Sequence, residues 1–197
     1  MARPRTLSDD EVLRRALDVF WRQGYRATSI PDICNAVGLS PPSVYNTFGS
    51  KEKLFTHAIE YYLLEHGKFL DLFADNVRSL GPGPAIQKLL ISAIDLYTNA
   101  DHPRGCAIFN SAGVVGNEKN EGERVVDQFL SRITERIEHV LHRADRHELN
   151  RSKAIHLSQY VICLMQGLSR LASTGAGADD LKSIAKIASH VTTNELG

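Results

Sequence analysis

Cysteine is scarce in this chain and never paired. Cys34, Cys106 and Cys163 show no C-x-x-C spacing, which excludes a disulfide framework and fits a reducing compartment. Net charge is missing too: 23 Lys and Arg balance 23 Asp and Glu, for a formal charge of +0. The chain is therefore not a polycation that holds nucleic acid by phosphate neutralisation alone, which argues against a non-specific architectural DNA protein. No run approaches the ~20 apolar residues of a membrane span, and Met1-Ala2-Arg3-Pro4-Arg5 leads into no apolar signal core. A cytoplasmic protein with no membrane partner is expected. Alternating strand patterns, internal repeats and low-complexity tracts are lacking, which leaves an all-α fold. Lacking as well are a G-x-S-x-G elbow, a glycine-rich phosphate loop, H-E-x-x-H and paired-cysteine zinc spacing. A helical enzyme or cofactor carrier thus has no catalytic residues to rest on, and no cofactor or metal is expected. His139, His142 and His147 gather near one helix end without a third ligand at helical spacing, and a solvated face explains them better than a metal.

What is present is a patterned chain, 43% hydrophobic, long enough for a small module and a larger body. Its most informative stretch runs from Gly24 to Leu54. Thr28 or Ser29 is placed to cap a helix in which Ile30, Ile33, Ala36 and Val37 recur at helical spacing, with Pro31 in the first turn, where a missing N–H costs little. Gly38 supplies the positive φ that stops it. Ser40 then caps a very short helix with Pro41 just inside it. Val44 and Phe48 face the core, and Pro41, Pro42, Ser43, Asn46 and Thr47 take outer positions. A helix this short fits across a DNA major groove with its first residues on base edges, while Tyr45 and Lys51 reach phosphates. The competing reading of the turn alone is an αα-hairpin on an ordinary helical scaffold.

The flanking segments favour the DNA reading. Ser8-Asp9-Asp10-Glu11 fits a capping box that opens a helix with the stripe Leu13, Ala16, Leu17 and Phe20. Gly49-Ser50 restarts the chain as a helix, from about Ser50 to Phe69, bearing Leu54, Phe55, Ala58, Ile59 and Tyr62. Arg3, Arg5, Arg14, Arg15, Arg22, Arg26, Lys51 and Lys53 lie on or beside this unit as a positive footprint, partly offset by Asp9, Asp10, Glu11 and Asp18. Arg3 and Arg5 suit an arm that follows a minor groove.

Residues 8 to 66 resemble the TetR-type (tetracycline-repressor-like) transcriptional regulators. The resemblance is carried by Gly24-Tyr25, Ala27-Thr28-Ser29-Ile30, Asp32-Ile33, Ala36-Val37-Gly38-Leu39-Ser40, Ser43-Val44-Tyr45, Phe48, Ser50-Lys51-Glu52 and Leu54-Phe55. It implies a three-helix helix-turn-helix unit over residues 1–50 and a helical effector-binding and dimerisation domain over 51–197. The implied partners are a double-stranded DNA operator, a second copy of the chain and a small-molecule effector. Thr28, Ser29, Ser40, Pro41, Pro42, Ser43, Tyr45, Asn46, Thr47 and Lys51 become the DNA-binding candidates. Three departures stand out. Cys34 replaces a small apolar residue, Lys53 stands where many relatives complete a capping box from Ser50, and Pro41-Pro42 distorts the start of the recognition helix.

Beyond Gly81-Pro82-Gly83-Pro84, the strongest break, the pattern stays helical. Ile86, Leu89, Leu90, Ala93, Ile94 and Tyr97 form one stripe. A helix from near Asn120 carries Val126, Leu130, Ile133, Ile137 and Val140, and one after Asn150 carries Leu157, Val161, Leu164, Leu168 and Leu171. A last helix bears Leu181, Ile184, Ala185, Ala188 and Val191. The last two also carry Ile155, Ile162, Met165 and Ile187 off the main stripe, which points to a second buried face. By resemblance that face pairs with the same helices of a second subunit, giving a homodimer that reads a palindrome at half-sites roughly 34–36 Å apart or somewhat more.

In Gly105-Cys106-Ala107-Ile108-Phe109-Asn110, the residues Cys106, Phe109, Asn110 and Gly113 fall at i, i+3, i+4 and i+7, on one helix face. A greasy wall with a few polar groups suits a small apolar effector. With Phe69, Phe73, Tyr97 and Met165, the residues Cys106, Phe109 and Asn110 are the effector-binding candidates. The segment resembles the start of the sixth helix in a TetR subgroup, some members of which respond to electrophiles or oxidants. Cys106 is therefore either an inert packed thiol or a sensor whose thiolate is favoured by His102, Arg104 and a helix's first turn. Cys34 and Cys163 read as core.

Overall fold

The computed structural model describes residues 7–112, 119–143 and 149–196. Among them are ten helices and no strand. Arg3, Arg5, Gly113 and His147 lie outside the described residues.

Three helices form the N-terminal unit: α1 (Asp9–Ala27), α2 (Ile30–Val37) and α3 (Pro41–Phe48). The Ser8 side chain accepts from the Glu11 backbone N–H. The reciprocal half of the expected box is not made, because the Glu11 carboxylate takes Arg14 and Arg15 at 2.8 Å instead. Hydrogen bonds from Arg14 first, then Arg15, hold its pKa down at about 2. A full box forms one helix later, where Ser29 and Asp32 cap each other's backbone N–H groups. Gly38 ends α2 at φ 70°, in the left-handed region as expected.

Two expected boundaries move. The helix after Ser50 divides at Gly67 into α4 (Lys51–His66) and α5 (Lys68–Leu80). Gly81-Pro82-Gly83-Pro84 interrupts the chain by one residue only: α6 (Pro82–Thr98) starts on the first proline. Prolines in a first helical turn lose no hydrogen bond, so the run begins a helix rather than separating two. A four-residue α7 (Ala107–Asn110) precedes the long α8 (Glu121–His142), α9 (Arg151–Ser173) and α10 (Ala178–Leu196). Asn120 and Asn150 cap α8 and α9.

α1 packs along α4, α6 lies against α5, α9 and α10, and α8 runs beside α9. One apolar core runs through all of them. At the N-terminal end Phe20 meets Phe55 edge-on at 5.0 Å, and Tyr25 meets Phe55 at the same distance. Each such side chain contributes roughly 1.5–3 kcal/mol by burial. α4 thereby holds the helix-turn-helix at one end, through Leu54 and Phe55, and continues into the body at Tyr62, Leu63 and His66.

Candidate nucleic-acid interface and effector cavity

α3 stands on its two buried residues, Val44 and Phe48, as the spacing requires. Pro41, Pro42, Asn46 and Thr47 are exposed, Ser43 is half-buried, and Tyr45 is 47% exposed, high for an aromatic ring. Ser40 sits at the N-cap position but makes no cap hydrogen bond. With prolines at the first two helical positions, its hydroxyl instead pairs with the Ser43 hydroxyl at 3.0 Å. The expected distortion at Pro41-Pro42 is absorbed there, since Ser40 is extended (φ −76°, ψ 152°), the conformation that a following proline favours.

Two candidates need revision. Thr28 is not a DNA contact: it is 1% exposed, and its hydroxyl donates to the Gly24 carbonyl at 2.7 Å. The α1 chain kinks at Gly24 (φ 75°), and Thr28 closes that kink. Ser29 stays at the surface, but its hydroxyl is committed to Asp32 at 2.6 Å. Lys51 lies over the Tyr25 ring, 4.2 Å from its centroid, and donates to the Tyr25 carbonyl at 2.6 Å. Burial lowers its pKa. An ammonium has three N–H donors, so the bond to Tyr25 leaves others for a phosphate.

The positive footprint is more neutral than the residue count implies. Arg14 and Arg15 pair with Glu11, Arg22 with Asp18 at 3.4 Å, and Arg26 with Glu123 at 3.1 Å. The Arg14, Arg15 and Arg22 pairs are exposed and worth about 0–1 kcal/mol, so a DNA phosphate can compete for those guanidiniums, whereas Arg26 is held by a buried carboxylate.

A cavity of about 410 Å³, counting its mouth, lies where α4 enters the body. α4 contributes Tyr62, Leu63 and His66, and α5 contributes Phe69 and Leu70. Tyr97, Cys106, Ile108 and Phe109 form the second wall, with Leu130 and Ile133 of α8 and Ile162 and Met165 of α9 closing it. Five effector candidates, Phe69, Tyr97, Cys106, Phe109 and Met165, therefore share one site. Two do not. Phe73 is 2% exposed and packs into the core away from the cavity. Asn110 turns aside because α7 ends after one turn. Its amide donates to the Arg104 and Trp21 carbonyls, and it borders a separate polar groove that contains Arg22 and Arg170.

Sequence reasoning assigned Tyr62, Leu130 and Ile133 to packing stripes, put Ile162 and Met165 on the second face expected to meet another subunit where they instead line the cavity, and passed over His66. Their spacing is that of any core residue, and only the meeting of four helices turns them into a lining. His66 touches Trp21, Tyr62 and His102 rings at 5.9, 5.4 and 5.2 Å. Burial, with His102 adding to it, lowers its pKa.

The setting of Cys106 opposes a reactive thiolate. The residue is the N-cap of α7 and 5% exposed. Its sulfur accepts from the Tyr62 hydroxyl at 3.4 Å, and burial pushes its pKa up. Arg104 does not face it, since that guanidinium is pinned to the Ala172 and Ala176 carbonyls. His102 stacks on Trp21 at 4.6 Å. Native protein should leave Cys106 unmodified by iodoacetamide at pH 7.5 until it unfolds, as peptide mass analysis of a labelling time course would show. Rapid native labelling would restore the sensor reading. Cys34 is buried as expected, whereas Cys163 is exposed. Among the described residues no cluster of His, Cys, Asp and Glu is placed to hold a metal, and no helix is long and apolar enough to cross a membrane.

Comparison with known proteins decides the family. Residues 12–58 match the profile of "Bacterial regulatory proteins, tetR family". The HTH-type transcriptional regulator YezE of Bacillus subtilis (strain 168) is 30% identical over 154 residues, 76% of this chain and 77% of YezE. This chain belongs to the tetR family. The HTH-type transcriptional repressor ComR of Escherichia coli (strain K12) is 27% identical over 93% of this chain and 88% of its own length. A cysteine mutant of the TetR family transcriptional regulator CifR, complexed with 26-base-pair double-strand operator DNA, superposes with a TM-score of 0.79. It is 28% identical and spans 95% of this chain and 98% of CifR. Like other tetR members, this chain is a DNA-binding transcriptional regulator and not an enzyme.

Proposed function

We propose that this tetR-family chain is a repressor that reads a palindromic operator as a homodimer and releases it when a small molecule enters the cavity between α4 and α9. The reading head comprises residues 1–50, and residues 51–197 form the effector-binding and dimerisation domain. One observation carries the reading: α4 is buried in the head at Leu54 and Phe55 and lines the cavity at Tyr62, Leu63 and His66. A ligand that displaces the second end tilts a rigid rod whose first end supports α3. Moving the protein from 1:99 to 99:1 in favour of the released state requires about 10⁴-fold tighter binding to that state, or about 5.5 kcal/mol.

The dimer surface is the outer face of α9 and α10. Leu171, Ile187 and Val191 are 43%, 66% and 48% exposed. Tyr160, Leu164, Gly167 and Leu171 follow one row of α9, and Ile184, Ile187 and Val191 follow one row of α10. An alanine methyl at Gly167 would meet nothing within 4 Å in the protomer. Mid-helix glycine is destabilising by roughly 0.5–1 kcal/mol against alanine, so its place is explained by the close approach of a second helix. A permanent interface here buries well over ~1,000 Å².

On DNA, Ser40, Pro41, Pro42, Ser43, Asn46 and Thr47 face the groove, and Tyr45 and Lys51 hold phosphates. Sequence selection from random duplexes by the purified protein, followed by titration of the selected site, tests this. Ser43→Ala or Asn46→Ala should change the preferred base at one position, at about 1–3 kcal/mol for a lost good contact. Tyr45→Phe and Lys51→Ala should instead weaken all sequences together, and Lys51→Ala should lower the salt slope by about 1. A Lys51→Ala protein with unchanged affinity and salt slope would show that α3 docks otherwise.

A further inference from the structure

The polar groups of the cavity limit what can occupy it. Tyr97 is 1% exposed, and its hydroxyl lies toward the Cys106 sulfur without making a hydrogen bond of normal geometry among the described residues. The neighbouring groups are already engaged: the Tyr62 hydroxyl donates to Cys106 Sγ at 3.4 Å, and the Cys106 N–H donates to Ser169 Oγ at 2.8 Å. A buried hydroxyl without a partner is unfavourable, and one on a cavity wall marks where a partner atom belongs. No Asp, Glu, Lys or Arg lines the cavity. His66 is the one titratable imidazole on the wall, and burial disfavours its charged form, so an anion or cation would enter at a desolvation cost that no standing charge offsets. Apart from His66, the remaining wall is aliphatic and aromatic. Little of the space inside the mouth is free, enough for about one water. A ligand must therefore be compact, and it must push the walls apart.

Resting on the effector reading above, we propose that the cavity takes a compact, uncharged, largely apolar molecule with a single hydrogen-bond-accepting oxygen, such as a ketone or ester carbonyl, that receives the Tyr97 O–H. Carboxylates of the same shape are rejected. The hydroxyl acts as a specificity determinant, and the apolar walls supply most of the affinity.

Three probes of one shape test this on the full chain by calorimetry and melting temperature: acetophenone, ethylbenzene and benzoate. Wild type should bind acetophenone about tenfold tighter than ethylbenzene, the scale of one good hydrogen bond, and should not measurably bind benzoate. Tyr97→Phe keeps the ring and should bring acetophenone and ethylbenzene within about twofold while leaving ethylbenzene affinity unchanged. With no hydrogen bond of normal geometry to lose, Tyr97→Phe alone should melt at or above the wild-type temperature. The proposal is overturned if benzoate binds as well as acetophenone, if the preference survives in Tyr97→Phe, if that variant melts lower, or if none of the probes binds. Operator binding, measured in parallel, separates the two readings. Acetophenone that binds with the expected preference yet leaves operator affinity unchanged supports this ligand class and overturns the effector role of the cavity.

Discussion

Gly122→Ala is expected to lower the melting temperature by about 2–12 °C and to weaken operator binding with it. A methyl group on Gly122 would stand 2.0 Å from Cγ of Tyr25. The ring has nowhere to go: Phe20 lies 6.2 Å away on a nearly parallel plane, Phe55 lies at 5.0 Å, and Lys51 sits 4.2 Å over its face. Overpacking of this kind costs typically 1–3 kcal/mol, and for a chain of this size each kcal/mol shifts melting by about 2–4 °C. The loss of affinity follows because Tyr25 is where the first turn of α8 meets the reading head, beside the Arg26–Glu123 pair. A displaced Tyr25 carries Lys51 and the start of α4 with it. Calorimetric melting and operator titration check both effects, and Gly122→Ala combined with Tyr25→Leu should lose less than the sum of the single changes. A variant that melts within a degree of wild type would show that the ring and α8 are not in close contact.

Gly167→Trp should leave the protomer folded and abolish the dimer. Position 167 is open in the single chain, and tryptophan is the better helix former there. Any large effect therefore reports a second molecule. The variant is expected to sediment as a monomer at micromolar concentration while retaining its helical circular dichroism. Its operator affinity should fall about 10²-fold or more, because two linked half-site contacts become independent ones. Wild type sedimenting as a monomer, or a dimeric Gly167→Trp, would remove the proposed surface. Cys163, expected in the core and found exposed, lies one helical turn from Gly167 and belongs to the same outward face of α9.

Much of the architecture was legible locally. Caps at Ser8, Ser29, Asn120 and Asn150, the left-handed Gly38, and the apolar stripes of α1, α4, α6 and α8 depend on interactions within a few residues of the chain, and those interactions are written in residue order. The same locality placed Val44 and Phe48 inward and Pro41, Pro42, Asn46 and Thr47 outward. Side-chain destinations across the fold were not legible in that way. Thr28 turns inward because the chain kinks at Gly24, and Lys51 leans on Tyr25 because α4 packs along α1. Asn110 leaves the effector wall because α7 stops after one turn, which no periodicity announces. The cavity itself exists only where α4, α5, α8 and α9 converge with the Tyr97 and Cys106 wall. By itself the sequence determined most of the helices, the three-helix head and the resemblance to the family. Tertiary packing decided which thiol is sealed, which phenol is left without a partner and which glycine touches a ring, because burial and hydrogen-bond satisfaction depend on residues distant in the chain.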